Sequence, residues 1–440
     1  MCVCMYPFNA PWAQLGQLGP VPVRHPYGVL PDVRVHNARH PLPQASRAWW
    51  LSAGSFAWTC HWKFAKLRRS TQRRGLADMS LNDLGIVLDS QQAAKEVWLA
   101  LRQGMSPFGL DMRPQQMAAL HALDGSMAGL LQDEAIQTIV ASESDDCESV
   151  THKYLLGLQD GEAVESVLIP LKSKFSRTRN ATTVCVSSQV GCAQGCRFCR
   201  TGDMGLLRNL SASEILAQVV QGRRLARKCG LPEVRKVVFM GMGDPLANVA
   251  NVKVAVAALS DGYRMAIGRK RLQVSTVAPS PAAVLEVAGM RCQLVWSLHA
   301  ANDELRGRLV PTSRGGGVQA LREAFVKVLK GKGAPDRRLL VALVMIAGMN
   351  DQKQHAQELA DFLRPMYEDP AFGTAVNLIP YNPNPGQEDF APSAYDTMLE
   401  FRECVNRSLP LLAIHIRRTR GADRSAACGQ LATSRRGKKK

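Results

Sequence analysis

Gly191-Cys192-Ala193-Gln194-Gly195-Cys196-Arg197-Phe198-Cys199 crowds three thiols into eight residues directly behind a strand-like run at 183–190. That run opens a regular rhythm. Further strand-like runs fall at 236–241, 272–277, 294–300, 339–346 and 375–381. Helical stretches at 211–228, 251–259, 281–288, 318–330, 351–367 and 393–407 alternate with them. The first helix opens with Ser211-Ala212-Ser213-Glu214, in which the Ser and Glu side chains can each satisfy the other's free backbone amide. Six strands alternating with six helices require parallel strands joined by crossover helices. Six units fall short of a closed eightfold barrel. An open partial α/β barrel is therefore the first expectation, and a doubly wound sheet the second. In either architecture ligands gather at the carboxyl ends of the strands, where the cysteine loop stands.

Three cysteines at this spacing can wrap one cluster. A cubane iron–sulfur cluster normally takes four Cys ligands, so three leave one iron open for a small molecule. Cys192, Cys196 and Cys199 are thus candidate metal ligands. The competing reading is structural zinc completed by Cys185 or a distant His, but zinc sites usually pair two separated short motifs, which is not the pattern here. Met204, Leu206 and Leu207, just beyond the loop, read as packing residues.

The chain of 440 residues is long for one domain, and its 46% hydrophobic and 21% charged residues describe a globular protein with a sizeable core. Global disorder, collagen-like repeats and a disulfide miniprotein are excluded. No run reaches the roughly 18 consecutive apolar residues of a spanning helix, so the chain reads as soluble, without a membrane partner. The twelve cysteines accompany no secretory signal, which favours metal or redox chemistry over disulfides.

Of the net charge of +18, residues 1–76 contribute +9 and the last ten residues +5, leaving the body mildly basic. The stretch 1–76 is Pro-, Gly- and Arg-bearing with one acid, Asp32. Such a leader resembles an organelle transit segment; a basic arm is the other reading. The expected location is accordingly cytoplasmic or, with a transit segment, chloroplast or mitochondrion. Residues 77–152 read as a small helical accessory domain, 153–431 as the catalytic barrel and 432–440 as a basic tail. Short strands are expected around 154–156 and 164–169. Candidate phosphate contacts are Arg269-Lys270-Arg271, Arg417-Arg418 and the terminal lysines 438–440.

The cysteine loop after the first strand resembles the radical S-adenosylmethionine (SAM) superfamily. Five blocks narrow the likeness: Cys185-Val186-Ser187-Ser188-Gln189-Val190-Gly191-Cys192, Gly241-Met242-Gly243-Asp244-Pro245-Leu246, Ser297-Leu298-His299-Ala300, Asn377-Leu378-Ile379-Pro380-Tyr381-Asn382-Pro383 and Ala427-Cys428-Gly429-Gln430-Leu431. Together, in this order across about residues 160–431, they resemble the RlmN/Cfr family of RNA methyltransferases. The resemblance implies a partial (βα)6 radical-SAM barrel, a 4Fe-4S cluster on the three cysteines and two SAM molecules per turnover. SAM would be met by Gly243, Asp244, Ser275, Ser297, His299 and Asn382; Asp stands at 244 where the family more often has Glu.

The resemblance also implies the chemistry. Cys428 accepts a methyl group, hydrogen abstraction turns that methyl into a carbon radical, and the radical bonds an adenine carbon. Cys185 then attacks the Cys428 sulfur, forming a disulfide and releasing the product. Glu165 matches the family's base, with Glu162 as the fallback. Depressed thiol pKa values are expected at Cys428 and Cys185, since each must act as a thiolate. The substrate would be adenosine, at carbon 2 rather than carbon 8, in ribosomal RNA, with transfer RNA left open. The enzyme would be a monomer served by an electron donor such as flavodoxin or ferredoxin. Two other readings stay open: a radical SAM enzyme acting on another RNA base or a small molecule, and a metal-stabilised RNA-binding adaptor. An adaptor has no use for two redox-active thiols outside the cluster, so Cys428 and Cys185 discriminate.

Overall fold

Short polar residues at the right places start the first helices. Ser80 accepts from the Asp83 amide and Ser90 from the Ala93 amide, satisfying donors that an uncapped first turn leaves free. The computed structural model describes residues 75–125, 136–141, 150–171, 180–314, 316–333 and 336–433. The leader up to residue 74 and the lysines 438–440 lie outside the described residues.

In chain order the elements are α1 Leu81–Val87, α2 Gln91–Arg102, α3 Pro114–Gly125, β1 Ile136–Ala141, β2 His152–Gly157, β3 Ala163–Leu171, β4 Ala181–Val186, β5 Gln189–Gly191 and β6 Leu206–Asn209. The alternating part follows: α4 Ala212–Lys228, β7 Val234–Phe239, α5 Val249–Ser260, β8 Leu272–Thr276, α6 Pro281–Glu286 and β9 Gln293–Ser297. It ends with α7 Asp303–Leu309, α8 Gly317–Lys330, β10 Arg338–Met345, α9 Lys353–Glu368, β11 Gly373–Pro380, α10 Tyr395–Ser408 and β12 Ala413–Ile416.

One sheet runs β1-β2-β3-β4-β7-β8-β9-β10-β11-β12. From β4 to β12 every pairing is parallel and the order is sequential. A doubly wound sheet reverses direction at a switch point. This one never does, so the partial barrel is the architecture. Two strands were not read from the sequence, β1 and β12. β12 adds a seventh parallel strand; the expected short strands at 154–156 and 164–169 form as β2 and β3 and, with β1, extend the sheet antiparallel beyond β4. β1 lies inside the stretch expected to be helical; its Ile136, Ile139 and Val140 gain a partner strand in β2 that local periodicity cannot show.

The expected strand at 183–190 also divides. β4 ends at Val186, and Gln189–Gly191 turns away to pair with Leu206–Asn209. Leu206 and Leu207 are exposed on that hairpin rather than packed, whereas Met204 does pack against the core. The Ser211–Glu214 cap forms as read, with Glu214 N donating to Ser211 Oγ at 3.2 Å and Ser211 N to Glu214 Oε2 at 2.8 Å.

Leu84, Val97, Trp98 and Leu101 of the first helices belong to the same continuous core as the sheet. Arg102 and Arg264 fasten them further. Arg102 donates to the carbonyls of Gly262 and Arg264, and Arg264 to those of Ala77 and Met79. Among the described residues no helix is long and apolar enough to cross a membrane.

Gln218 of α4 locks the antiparallel extension to the barrel. Its fully buried amide accepts from Ser166 Oγ at 2.8 Å and Ser187 N at 2.7 Å, and donates to Ser187 O at 2.9 Å. Its own carbonyl takes the Tyr154 hydroxyl. Gln218→Leu keeps the volume but strands two buried donors, each costing about 1–3 kcal/mol. We expect about 3 kcal/mol of lost stability in urea unfolding at unchanged slope; a loss below about 1 kcal/mol would show that the site relaxes around Leu.

Candidate active site

The chain leaves β5 through a turn that only glycine permits. Gly191 has φ +76°, and a Cβ there would lie 1.9 Å from the Gly205 carbonyl oxygen. That oxygen instead accepts from Cys192 N at 2.9 Å, which folds the cysteine loop back on the β5–β6 hairpin. Arg197 N donates to Leu309 O at 3.1 Å, so the end of α7 holds the loop from the other side. Cys196 is buried; Cys192 and Cys199 are half-buried.

Burial pushes all three thiols up, Cys192 to about 12 and Cys196 well above its usual 9.0. Each of the other two thiols adds to the rise at Cys196, so the three share one electrostatic neighbourhood. Ionising them together requires a cationic partner. Among the described residues no three Cys, His, Asp or Glu side chains close on a point as ligands of a single ion would. A cubane gives each thiolate its own iron, which spreads the ligands. The donor set fits a cluster on Cys192, Cys196 and Cys199.

The remaining strand ends bring the other residues together. Asp244, at the exit of β7, is buried and fully engaged. Thr276 Oγ1 donates to both its oxygens at 2.8 and 3.0 Å, and its oxygens also accept from the amides of Val277 and Leu246. Its carboxylate therefore braces two strand ends as it stands. Burial raises its pKa and these donors lower it. Gly243 beside it has φ +87°, and an added Cβ would press to 2.5 Å from Gln189 Cβ.

Ser275 and Ser297, on neighbouring parallel strands, share one hydrogen bond of 3.0 Å, leaving one hydroxyl proton free to serve a ligand. His299 is buried with a left-handed φ of +63°, an unfavourable conformation held by its surroundings. Its Nδ1 accepts from Val344 N at 3.1 Å, and burial drives its pKa down to about 3. The ring is neutral at physiological pH, and the accepting Nδ1 places the proton on Nε2 as a donor.

Cys428 reaches the site on a segment stitched to it at many points. Asn382 Nδ2 donates to Cys428 O at 2.9 Å while Thr419 donates to Asn382 Oδ1 at 2.9 Å. Arg200 N and Asn384 Nδ2 both bind Gly429 O, and Gln430 Nε2 donates to Pro383 O at 3.0 Å. Thr201 Oγ1 donates to Leu431 O at 2.5 Å. Ala432 N donates to Glu165 Oε2 at 3.0 Å, and the other Glu165 oxygen pairs with Lys153 Nζ at 3.0 Å. Glu165 is buried; burial raises its pKa against the opposing pull of Lys153. Glu162 lies at the turn joining β2 to β3.

Cys428 is solvent-accessible, yet protein surrounds it closely enough to raise its thiol, with Arg417 lowering it and Cys199 raising it. Cys185, on β4, faces the same region; burial and then Cys428 push its thiol up. The expected depressed pKa values are thus reversed at both cysteines. At Cys428 enclosure outweighs the pull of Arg417, and at Cys185 the Cys428 charge adds to it.

Several contributors escaped the sequence reading: Lys153, Gln189, Thr201, Thr276, Arg306 and Asn384. They act through hydrogen bonds and ion pairs to groups distant in the chain, which leave no spacing pattern. Asn384, two residues beyond Asn382, carried the only local signal.

The raised thiols set a pH dependence. Above about pH 9 the unfolded chain releases thiol protons that the folded chain retains. The unfolded state then binds fewer protons and stability falls as pH rises. We expect the cluster-free protein to lose stability from pH 9 upward in denaturant titrations. The slope should shrink in a Cys192→Ala, Cys196→Ala, Cys199→Ala triple variant, and an unchanged slope would contradict the assignment.

Comparison with known proteins agrees with this geometry. The Radical SAM superfamily matches residues 186–363, and a 4Fe-4S cluster and SAM are the cofactors that superfamily implies. A dual-specificity RNA methyltransferase RlmN from Syntrophobacter fumaroxidans is 36% identical over 299 residues, covering 68% of this chain and 80% of the relative. The ribosomal RNA large subunit methyltransferase N of Nitrosopumilus maritimus is likewise 36% identical over 299 residues, with the same coverage. The crystal structure of a radical SAM methyltransferase from Sphaerobacter thermophilus superposes with a TM-score of 0.67 at 33% identity, covering 81% of this chain and 98% of that one. A sequential parallel barrel, three cysteines at its first loop and relatives matched over most of their length lead to one conclusion: the chain belongs to the RlmN/Cfr family of radical SAM RNA methyltransferases.

Proposed function

We propose that this enzyme methylates carbon 2 of an adenosine in ribosomal RNA through a methylated Cys428. Transfer RNA is the candidate second substrate; relatives named dual-specificity RNA methyltransferases support more than one RNA class. The observation that carries the reading is that Cys428 lies near enough to Cys185 and to Cys199 of the cluster loop for their charges to act on one another, on a segment bound to the cysteine loop through Arg200 N and Gly429 O.

When bound, the cluster and two SAM molecules per turnover supply a methyl group and, after one-electron reduction, the radical that draws a hydrogen from it. The chain's own residues do the rest. Ser275, Ser297, His299 and Asn382 stand with Gly243 and Asp244 at the strand ends to receive SAM. Cys428 carries the methyl on sulfur and presents it to the base, and Arg417 favours its thiolate. Glu165 takes the proton of the adenine carbon. Lys153 favours its ionised form, and two lone-pair positions remain on the carboxylate beside the Lys153 and Ala432 bonds. Cys185 attacks the Cys428 sulfur; the carbon–sulfur bond breaks, a disulfide forms and the methylated base leaves. The enzyme works as a monomer, with a flavodoxin- or ferredoxin-like protein supplying the electron.

The roles of the two cysteines separate experimentally. Cys428→Ala has no methyl carrier and should form no bond to RNA. Cys185→Ala completes the earlier steps but cannot resolve the adduct. It should accumulate a ribonuclease-sensitive protein–RNA band on a denaturing gel, and the double variant should show none. Identical behaviour of the two single variants would refute the assignment.

Loss of any one of Cys192, Cys196 or Cys199 should abolish the roughly four irons per chain found after anaerobic reconstitution. Stoichiometric zinc without iron would refute the cluster.

A further inference from the structure

Arg306 of α7 is fully buried. A guanidinium in such a place is costly unless a counter-charge meets it. Among the described residues its hydrogen-bond acceptors are all neutral carbonyls. Nη1 donates to Leu298 O and, at 3.3 Å, to Ser297 O, and Nη2 donates to Val277 O. Nε is buried without an acceptor. Asp244 is reached only through the Val277 peptide, whose N–H donates to Asp244 Oδ2 at 2.8 Å. Burial lowers the Arg306 pKa to about 10, so the group stays charged at neutral pH.

The Asp303 and Asp244 carboxylates act on it electrostatically, but neither accepts a hydrogen bond from it. Two features show where a further negative charge belongs. The carbonyls it binds terminate β8 and β9, the strands that carry Ser275 and Ser297 and lead to His299. Helix α7 also runs directly against the cysteine loop: Leu305 and Leu309 share an apolar cluster with Cys196 and Phe198. Leu309 O accepts from Arg197 N.

We propose that Arg306 is a positioning residue that clamps the ends of β8 and β9 and supplies the fixed counter-charge of the cluster held by Cys192, Cys196 and Cys199. This rests on the cluster that family membership brings. Taking up one electron adds one negative charge to the cluster, and a fixed cation beside it makes that uptake easier. The electron comes from a low-potential one-electron donor, and no proton transfer is required of Arg306. The guanidinium fork suits both tasks because it spans two strand ends while keeping its charge.

The test is a potentiometric titration of the anaerobically reconstituted full-chain enzyme with dithionite, followed by electron paramagnetic resonance. For Arg306→Met the equilibrium constant for reduction should fall at least tenfold, about 59 mV for one electron, at unchanged iron content. Arg306→Lys should keep the wild-type potential while binding SAM at least about threefold more weakly in equilibrium dialysis, since one ammonium cannot hold both strand ends. A Met variant with full iron and the wild-type potential overturns the counter-charge. If Arg306→Met loads no iron, Arg306→Lys decides: a wild-type potential with weakened SAM binding supports the proposal, and a tenfold fall in reduction overturns it. Lower thermal stability with both potential and SAM affinity intact would mark the residue as merely structural and also overturn it. Wild-type protein that takes up no iron would instead sink the cluster assignment beneath the proposal.

Discussion

The Val277 peptide lies between two buried charges. Its N–H donates to the Asp244 carboxylate and its carbonyl accepts from the Arg306 guanidinium. A buried charge is tolerated when donors and acceptors are already arranged around it, and costly when any one is removed. Here the arrangement fixes three strand ends at once. Asp244 belongs to the loop after β7, Val277 to the end of β8, and Arg306 reaches across to the carbonyls closing β9. The alternation of helices and strands supplies the barrel, but this short polar chain sets where its ligand-facing ends stop. As it stands Asp244 uses its lone pairs on protein donors, so receiving SAM requires it to give one of those bonds up.

The segment carrying Cys428 is held differently. It has little regular structure beyond a single 3-10 turn, Ala422–Arg424, flanked by left-handed residues at Gly421 and Ser425. Side chains from elsewhere define it, through Asn382 and Asn384 after β11, Thr201 after the cysteine loop, and Lys153 and Glu165 from the antiparallel strands. The antiparallel extension thus has a job at the site. It supplies the carboxylate and the lysine that tie the last described stretch of chain over the barrel mouth. Glu165 sits on the face of β3 that also carries Val167, opposite Cys185 in register, so the Cys185 thiol and the carboxylate share one side of the sheet.

What the sequence made legible follows from how local each signal is. The six parallel strands, their helices and the Ser211–Glu214 cap were readable because periodicity and capping are written in neighbouring residues. Most candidate site residues were proposed from short blocks of neighbouring residues, whereas Glu165 and Cys185 lie inside β3 and β4. β12 was missed because four residues, Ala413–Ile416, carry too little periodicity to stand out, and β1 because its strand character depends on β2. Leu206 and Leu207 were misread because apolar side chains usually pack, and only the hairpin geometry reveals that these do not. Nothing in the sequence singled out Arg306, because its burial depends on carbonyls up to 29 residues away in the chain.

The thiols show where local rules give the wrong sign. Nucleophilic chemistry asks for thiolates, and an isolated reading of Cys185 and Cys428 predicts depressed pKa values. Enclosure reverses this, and the reversal has a use. Thiol–disulfide chemistry runs at a rate set by the thiolate fraction, so two cysteines placed to meet would otherwise close prematurely into a disulfide. Keeping both protonated preserves the open pair, and both are free thiols in this structure. The charge needed to change that state is present but unequal. Arg417 acts on Cys428 alone, while Cys185 has burial and the Cys428 charge against it. In the proposed sequence the thiol that acts first is the one that Arg417 helps to ionise. Methylation of Cys428, as proposed, would leave its sulfur without a thiolate charge and so remove one of the two influences that hold the Cys185 proton in place.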